Sequence, residues 1–157
     1  MNKEIKAEQA TIQKLKEIFE NNTEKRILVL GTTCAGKTTL LKSLPECRDM
    51  DGLVWALLSK EAQKELDNPS WTDDMSKTWR EHVIKAKQII KIEAGHPLFA
   101  ATSFDSDMVV YLNISENILR ERTTNRGVDY EVAVANDGRI KEEIRVAKLP
   151  TVVVDIV

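Results

Sequence analysis

Between residues 3 and 20, Ile5, Ile12, Leu15, Ile18 and Phe19 recur on one side at helical spacing, with lysine and glutamate between them. This periodicity predicts an amphipathic helix within residues 1–22, closed by the polar stop "ENN". Its polar face mixes both charge signs, which suits packing on the domain or on a second copy of the chain better than a membrane surface. "RILVL" follows as a short, wholly apolar run, the pattern of a strand covered on both faces. The segment "KTTLLKSL" at 37–44 reads as a helix stopped by Pro45, and residues 53–66 read as another. "DNPSW" breaks the pattern before a helix over 73–92. "HPLFAATSF" and "MVVYLNI" are strand candidates, the second favoured by its Val-Val-Tyr centre. Ser115 is placed to cap a helix over "ENILRERTTNR", and Gly127 to close it. Residues 139–148 form a last helix and "TVVVDIV" a last strand in this reading, with "NDG" at 136–138 as a turn. Strands alternating with helices predict an α/β, mostly parallel five-stranded sheet flanked by helices in three layers.

The 157 residues suit one compact domain. A net charge of −2 supplies no global basic field, so no nucleic-acid partner is expected. No apolar run approaches the roughly 18 residues that span a bilayer, and the charged N-terminus does not resemble a secretory signal, so a cytoplasmic protein without membrane contact is expected. Cys34 and Cys47 lack metal-ligand spacing and read as free thiols.

The chemistry concentrates in "GTTCAGKTT". Gly31, Gly36, Lys37 and Thr38 match GxxxxGK[ST], the Walker A pattern, and the segment lies between a predicted strand and a predicted helix as that motif requires. A glycine-rich turn lets the backbone N–H groups of Gly31, Thr32, Thr33, Cys34, Ala35, Gly36, Lys37, Thr38 and Thr39 converge on phosphate oxygens. Lys37 would reach the β- and γ-phosphates, and the Thr38 hydroxyl would ligate Mg²⁺. ATP and Mg²⁺ are therefore the expected cofactors.

Two acids follow in "RDMDG", Asp49 and Asp51, 12 and 14 residues after Lys37. A helix over 37–44 carries the chain about 12 Å away from the loop, and five extended residues return it by about 16 Å. Both acids thus come back near the phosphates. Asp49 is assigned to the metal and Asp51 to an acceptor hydroxyl, whose proton it would take. The GTPase pattern DxxG also fits "DMDG", but the gap is too short for a switch region and no NKxD element follows. Asp105 is a rival for the metal if its strand ends beside the phosphates. In "LRERTTNRG", Arg120 can pair with Glu116, whereas Arg122 and Arg126 share another helix face and could close over the transferring phosphoryl group.

Together "GTTCAGKTT", "DMD" before a helix, and "VVYLNISENILRERTTNRG" resemble the small P-loop kinases, the group containing adenylate, shikimate and dephospho-coenzyme A kinases. The resemblance implies a single P-loop domain over 1–157 and a lid at about 120–138 carrying Arg122 or Arg126. It also implies transfer of the γ-phosphoryl group of ATP to a small-molecule acceptor. The "DxD" element is most similar to kinases that phosphorylate hydroxyls. A nucleoside-monophosphate kinase, using Arg48 or Arg80 on the acceptor phosphate, and an ATP-binding regulatory protein without transfer activity are the alternatives. Trp71, Trp79 and Arg80 are candidates for an acceptor pocket, Trp55 for the core, and His82 and His96 for structural roles. Only "SFDSD" separates two predicted parallel strands, too little for a helical crossover. The N-terminal helix is the candidate surface for homo-oligomer assembly.

Overall fold

The apolar run after Arg26 forms β1 (Ile27–Leu30), with all four residues buried at the middle of the sheet. In the computed structural model, which describes residues 3–156, it is joined by β2 (Arg48–Asp49), β3 (Leu98–Ala100), β4 (Met108–Ile114) and β5 (Thr151–Ile156). The five strands are parallel throughout, in the order β2-β3-β1-β4-β5. Leu30 stands opposite Ala100 on one side and Tyr111 on the other, so β1 and β3 end together beside the loop that follows β1, while β4 runs on to Ile114.

Successive strand residues face opposite sides, and this alternation builds two cores. Ile27 and Val29 pack with Ile12, Leu15, Phe19, Leu40 and Leu119, under α1 (Lys3–Glu20), α2 (Lys37–Leu41) and α6 (Glu116–Arg126). Leu28 and Leu30 pack with Met50, Val54, Val83 and Ile140, under α3 (Met50–Leu57), α5 (Asp73–Ala86) and α7 (Tyr130–Ala147). The result is a three-layer α/β sandwich, as the alternation of elements predicts. Among the described residues, no helix is long and apolar enough to cross a membrane.

Several elements depart from their sequence-based outlines. The expected helix over 53–66 is two helices: α3 begins earlier, at Met50, and α4 (Lys60–Leu66) starts afresh where the Ser59 hydroxyl accepts the Ala62 N–H at 3.1 Å. The cap offers Ser59 a local partner and ends α3's run. The helix expected over 73–92 stops at Ala86. "NDG" is no turn. It lies inside α7, which starts at Tyr130 behind the Asp129 cap, and burial of Ala133 and Ile140 on one helix overrides the local turn preference. Trp55 is 36% exposed and not core. Val54 takes the inward position of α3, and the next residue is turned about 100° from it.

The short link between β3 and β4 works because β3 has three residues. From Ala100, level with Leu30, the chain must recede only to Met108, level with Ile27, and cross one strand. Residues 101–107 span up to about 23 Å extended, enough for both, so this crossover is parallel and has no helix.

The apolar side of α1 is buried within the chain at Ile12, Leu15 and Phe19, while Ile5 is exposed. Leu15→Ala should therefore lower unfolding stability by about 2–5 kcal/mol in urea titration. Ile5→Ala should change it by less than about 0.5 kcal/mol.

Candidate active site

The loop after β1 is held by close packing. The Gly31 N–H donates to the Ala100 carbonyl at 3.3 Å, and a Cβ on Gly31 would stand 3.2 Å from both the Ala35 and Leu112 side chains. Gly36 has a φ of 96° at the N-cap of α2, and a Cβ there would lie 3.1 Å from Arg122 Nη1. Both positions need glycine, one for space and one for backbone conformation. Thr32 is buried and donates its hydroxyl across the fold to the Ala133 carbonyl of α7 at 2.6 Å. Cys34 takes a φ of 68°, buries its side chain in the core and accepts Arg122 Nη1 on its carbonyl at 3.2 Å.

Lys37 Nζ donates to the carbonyls of Gly31 and Thr32, the second at 3.0 Å. Burial lowers its pKa from 10.5 to about 8, opposed chiefly by the negative charge of Asp51 and then of Asp49. The two acids therefore do return to the lysine. β2 brings them: Asp49 pairs with Phe99 in the sheet and caps α3, its Oδ1 accepting the Asp51 N–H at 3.3 Å. Asp51 reaches solvent, yet the protein atoms around it raise its pKa, with Asp49's charge adding to the effect and Lys37 opposing it.

Mg²⁺ fits this donor set. Asp49, Asp51 and the exposed Thr38 hydroxyl are hard oxygen donors, and two crowded carboxylates favour a nearby cation. Among the described residues no group of three or more His, Cys, Asp and Glu side chains could cage a metal. That absence matters little for an ion that keeps waters and binds substrate phosphates alongside one or two carboxylates.

The arginines separate. Arg122 reaches the loop, whereas Arg126 is exposed near the end of α6. Arg120 bonds Glu116 at 2.9 Å and lies 4.0 Å from the Tyr130 ring centroid, bracing α6 against α7. Sequence reasoning missed Arg139. It is fixed by the Ala101 carbonyl at 2.7 Å and Glu143 at 3.0 Å, and its charge lowers the Lys37 pKa, which places it at the carboxyl end of β3 near the loop. Its i,i+4 spacing to Glu143 was a visible signal, hidden by the expected turn at 136–138. Tyr111 donates to Asp137 at 2.5 Å, adding another tie between α7 and the strand ends.

Asp105 is excluded from the metal role. It bonds Arg26 at 3.0 Å, immediately before β1 and so at the amino end of the sheet, because the β3–β4 link runs back down the fold. Trp71 is exposed and donates to Ser76 at 2.6 Å, Trp79 is partly buried on the second core, and Arg80 is exposed. Trp55 lies four residues after Asp51 on α3, hence on the same helix face. His96 sits by the Glu46 carbonyl at 3.0 Å, and Arg48 pairs with Glu93 at 3.5 Å.

No family profile and no curated protein sequence matches the chain. Among solved structures, it is similar in fold to deoxyadenosine kinase from M. mycoides, described with the products dCMP and a flexible dCDP bound. The TM-score is 0.50 at 17% identity, over 83% of this chain and 89% of the other. The parallel five-stranded sheet and its flanking helices thus have the same α/β fold as that solved structure.

The crowding around Lys37 is directly measurable. Carbon-detected NMR of the Lys37 ε-methylene should titrate near pH 8, and Asp51→Asn should move the midpoint lower by removing the main opposing charge. Between pH 8 and 10.5 the unfolded chain holds this proton more fully than the native one. The lysine's contribution to stability therefore rises with pH across that window.

Proposed function

We propose that the chain is an ATP-dependent kinase that transfers the γ-phosphoryl group to a hydroxyl of a small acceptor. The observation that carries this reading is the convergence of Asp49 and Asp51 on Lys37, at the mouth of a glycine-shaped loop. A phosphate-binding turn alone fits many functions, whereas a carboxylate beside the lysine supplies what a hydroxyl nucleophile needs.

In this reading the loop N–H groups from Gly31 to Thr39 and the Lys37 ammonium hold the β- and γ-phosphates, Lys37 exchanging its carbonyl partners for phosphate oxygens. Thr38 and Asp49 would hold Mg²⁺, which would supply positive charge to offset that of the phosphates. Asp51 orients the acceptor hydroxyl and takes its proton as the new O–P bond forms, while the bond from the γ-phosphorus to the bridging oxygen breaks and ADP leaves. The raised pKa of Asp51 makes it a better base than an ordinary carboxylate. Arg122 and Arg139, each anchored on a backbone carbonyl, would stabilise charge on the transferring group, with Arg126 at the end of α6 as a further candidate within 120–138.

Nucleosides are the first hydroxyl acceptors to test. The solved neighbour is a deoxyadenosine kinase, and Trp55 presents an exposed aromatic ring on the Asp51 face of α3. Arg139 favours a second reading, a nucleoside-monophosphate acceptor, because a guanidinium near the loop could hold its phosphate.

Incubation with Mg²⁺ and γ-labelled ATP, offering nucleosides, other hydroxylated metabolites and nucleoside monophosphates as separate pools, tests the proposal. Label should pass to a hydroxyl acceptor and not with Lys37→Ala. Asp51→Asn should lower kcat by about 100-fold or more with a smaller effect on ATP binding. Label passing only to monophosphates would establish the second reading, and tight ATP binding with no labelled acceptor would favour a regulatory nucleotide-binding protein.

A further inference from the structure

The helix-free link from β3 to β4 leaves the amino end of the sheet thinly covered. Between this link and the end of α7 lies a cavity of about 360 Å³, lined by Lys87, Ser103, Phe104, Ser106, Ala147 and Leu149. That volume lies within the range of small-molecule sites, about 300–1,000 Å³. Asp105 also borders it, at the end of the sheet remote from the phosphate loop.

The lining has an unbalanced chemistry. Lys87 donates to the Thr102 hydroxyl at 2.9 Å and stands 5.7 Å from the Phe104 ring centroid, and among the described residues no carboxylate lies within ion-pair distance of it. Asp105 is already engaged by Arg26. Ser106 is 6% exposed, and its Oγ is the buried side-chain polar atom without a hydrogen-bond partner among the described residues. Buried hydroxyls are normally satisfied, and this one, shielded from solvent as it stands, gains a partner in the cavity by turning toward it. One torsion at Ser106 decides where its oxygen points. Burial lowers the lysine's pKa, opposed by the charge of Glu143 beyond Thr102 and assisted by that of Arg139. Phe104, Ala147 and Leu149 provide an apolar wall beside these polar groups.

We propose that this cavity is a second binding site, taking a small organic anion, a carboxylate or phosphate monoester on an apolar or aromatic body. The anionic group meets Lys87 and the serine hydroxyls, and the body lies on Phe104 and Leu149. Through Thr102 the lysine also joins Glu143, which accepts Thr102 Oγ1 and Arg139 Nη1, each at 3.0 Å. The cavity is thus linked by hydrogen bonds to the arginine near the phosphate loop.

The test is NMR titration of the ¹⁵N-labelled full chain with benzoate, phenyl phosphate and, as a neutral control, benzyl alcohol. Saturable shifts at Ser103, Phe104, Ser106 and Ala147 are expected with at least one anion and not with the alcohol, and the tighter anion identifies the headgroup. Lys87→Gln should weaken binding about tenfold or more, and Lys87→Arg should retain it. Ala147→Phe, at an exposed rim position, should block the site without disturbing the lysine. Absence of saturable shifts, equal binding of benzyl alcohol, unchanged affinity in folded Lys87→Gln, or shifts confined to Gly31–Thr38 would each overturn the proposal. These readouts involve binding alone, so they stand apart from whether the chain transfers phosphoryl groups.

Discussion

The carboxyl end of the sheet is organised around one ammonium group taken largely out of water. Lys37 is desolvated by the loop that wraps it, and desolvation disfavours its charge. Two kinds of neighbour offset that cost: the carbonyls of Gly31 and Thr32, and the charges of Asp51 and Asp49. None is close to the lysine by accident of sequence. The carbonyls are turned inward by a loop whose first residue must lack a side chain beside Leu112, and the acids arrive on a strand two places away. The sheet order thus serves the lysine's charge as well as the packing.

The same end of the fold is closed by α7, which is tied down along its length. Ala133 accepts Thr32, Asp137 accepts Tyr111, Arg139 donates to Ala101, and Glu143 accepts Thr102 and the Ser103 N–H. These bonds connect the helix to the segment after β1, the middle of β4 and the segment after β3 in turn. Arg122 adds a bond from α6 to the loop. A helix pair so fastened is a wall that holds arginines at fixed places, and preorganised charge is more effective than charge that must be gathered during reaction.

What the sequence disclosed follows from how local each determinant is. β1, the glycine loop and the Ser115 and Gly127 boundaries of α6 depend on neighbours within a few residues, and the pattern revealed them. The return of Asp49 and Asp51 was legible because the chain lengths allowed little else. By contrast, the break at Ser59 turns on a single cap, and the continuity of α7 through "NDG" depends on burial of Ala133 and Ile140 by distant strands. Arg139 was hidden for the same reason: its position depends on the helix reaching back to Ala101. Asp105 stays a rival to Asp49 on the sequence alone, since the pattern does not say where its strand ends, and the short β3 lets the chain turn back first.

The charges near Lys37 also bear on the acceptor. A carboxylate pair attracts a magnesium ion and a hydroxyl proton but repels a second phosphate, and two unit charges about 4 Å apart interact by roughly 4 kcal/mol near a protein surface. An anionic acceptor would need that repulsion cancelled by a cation on its own side of the site. Arg48 is paired with Glu93 and Arg80 is exposed on α5, which leaves Arg122, held on the Cys34 carbonyl, and Arg139, shared with Glu143. In the kinase reading both are engaged on the transferring group, so little positive charge remains to offset the two carboxylates against an anionic acceptor. Within the proposed reading, that balance of charge argues for a hydroxyl on a neutral molecule ahead of a phosphate on a charged one.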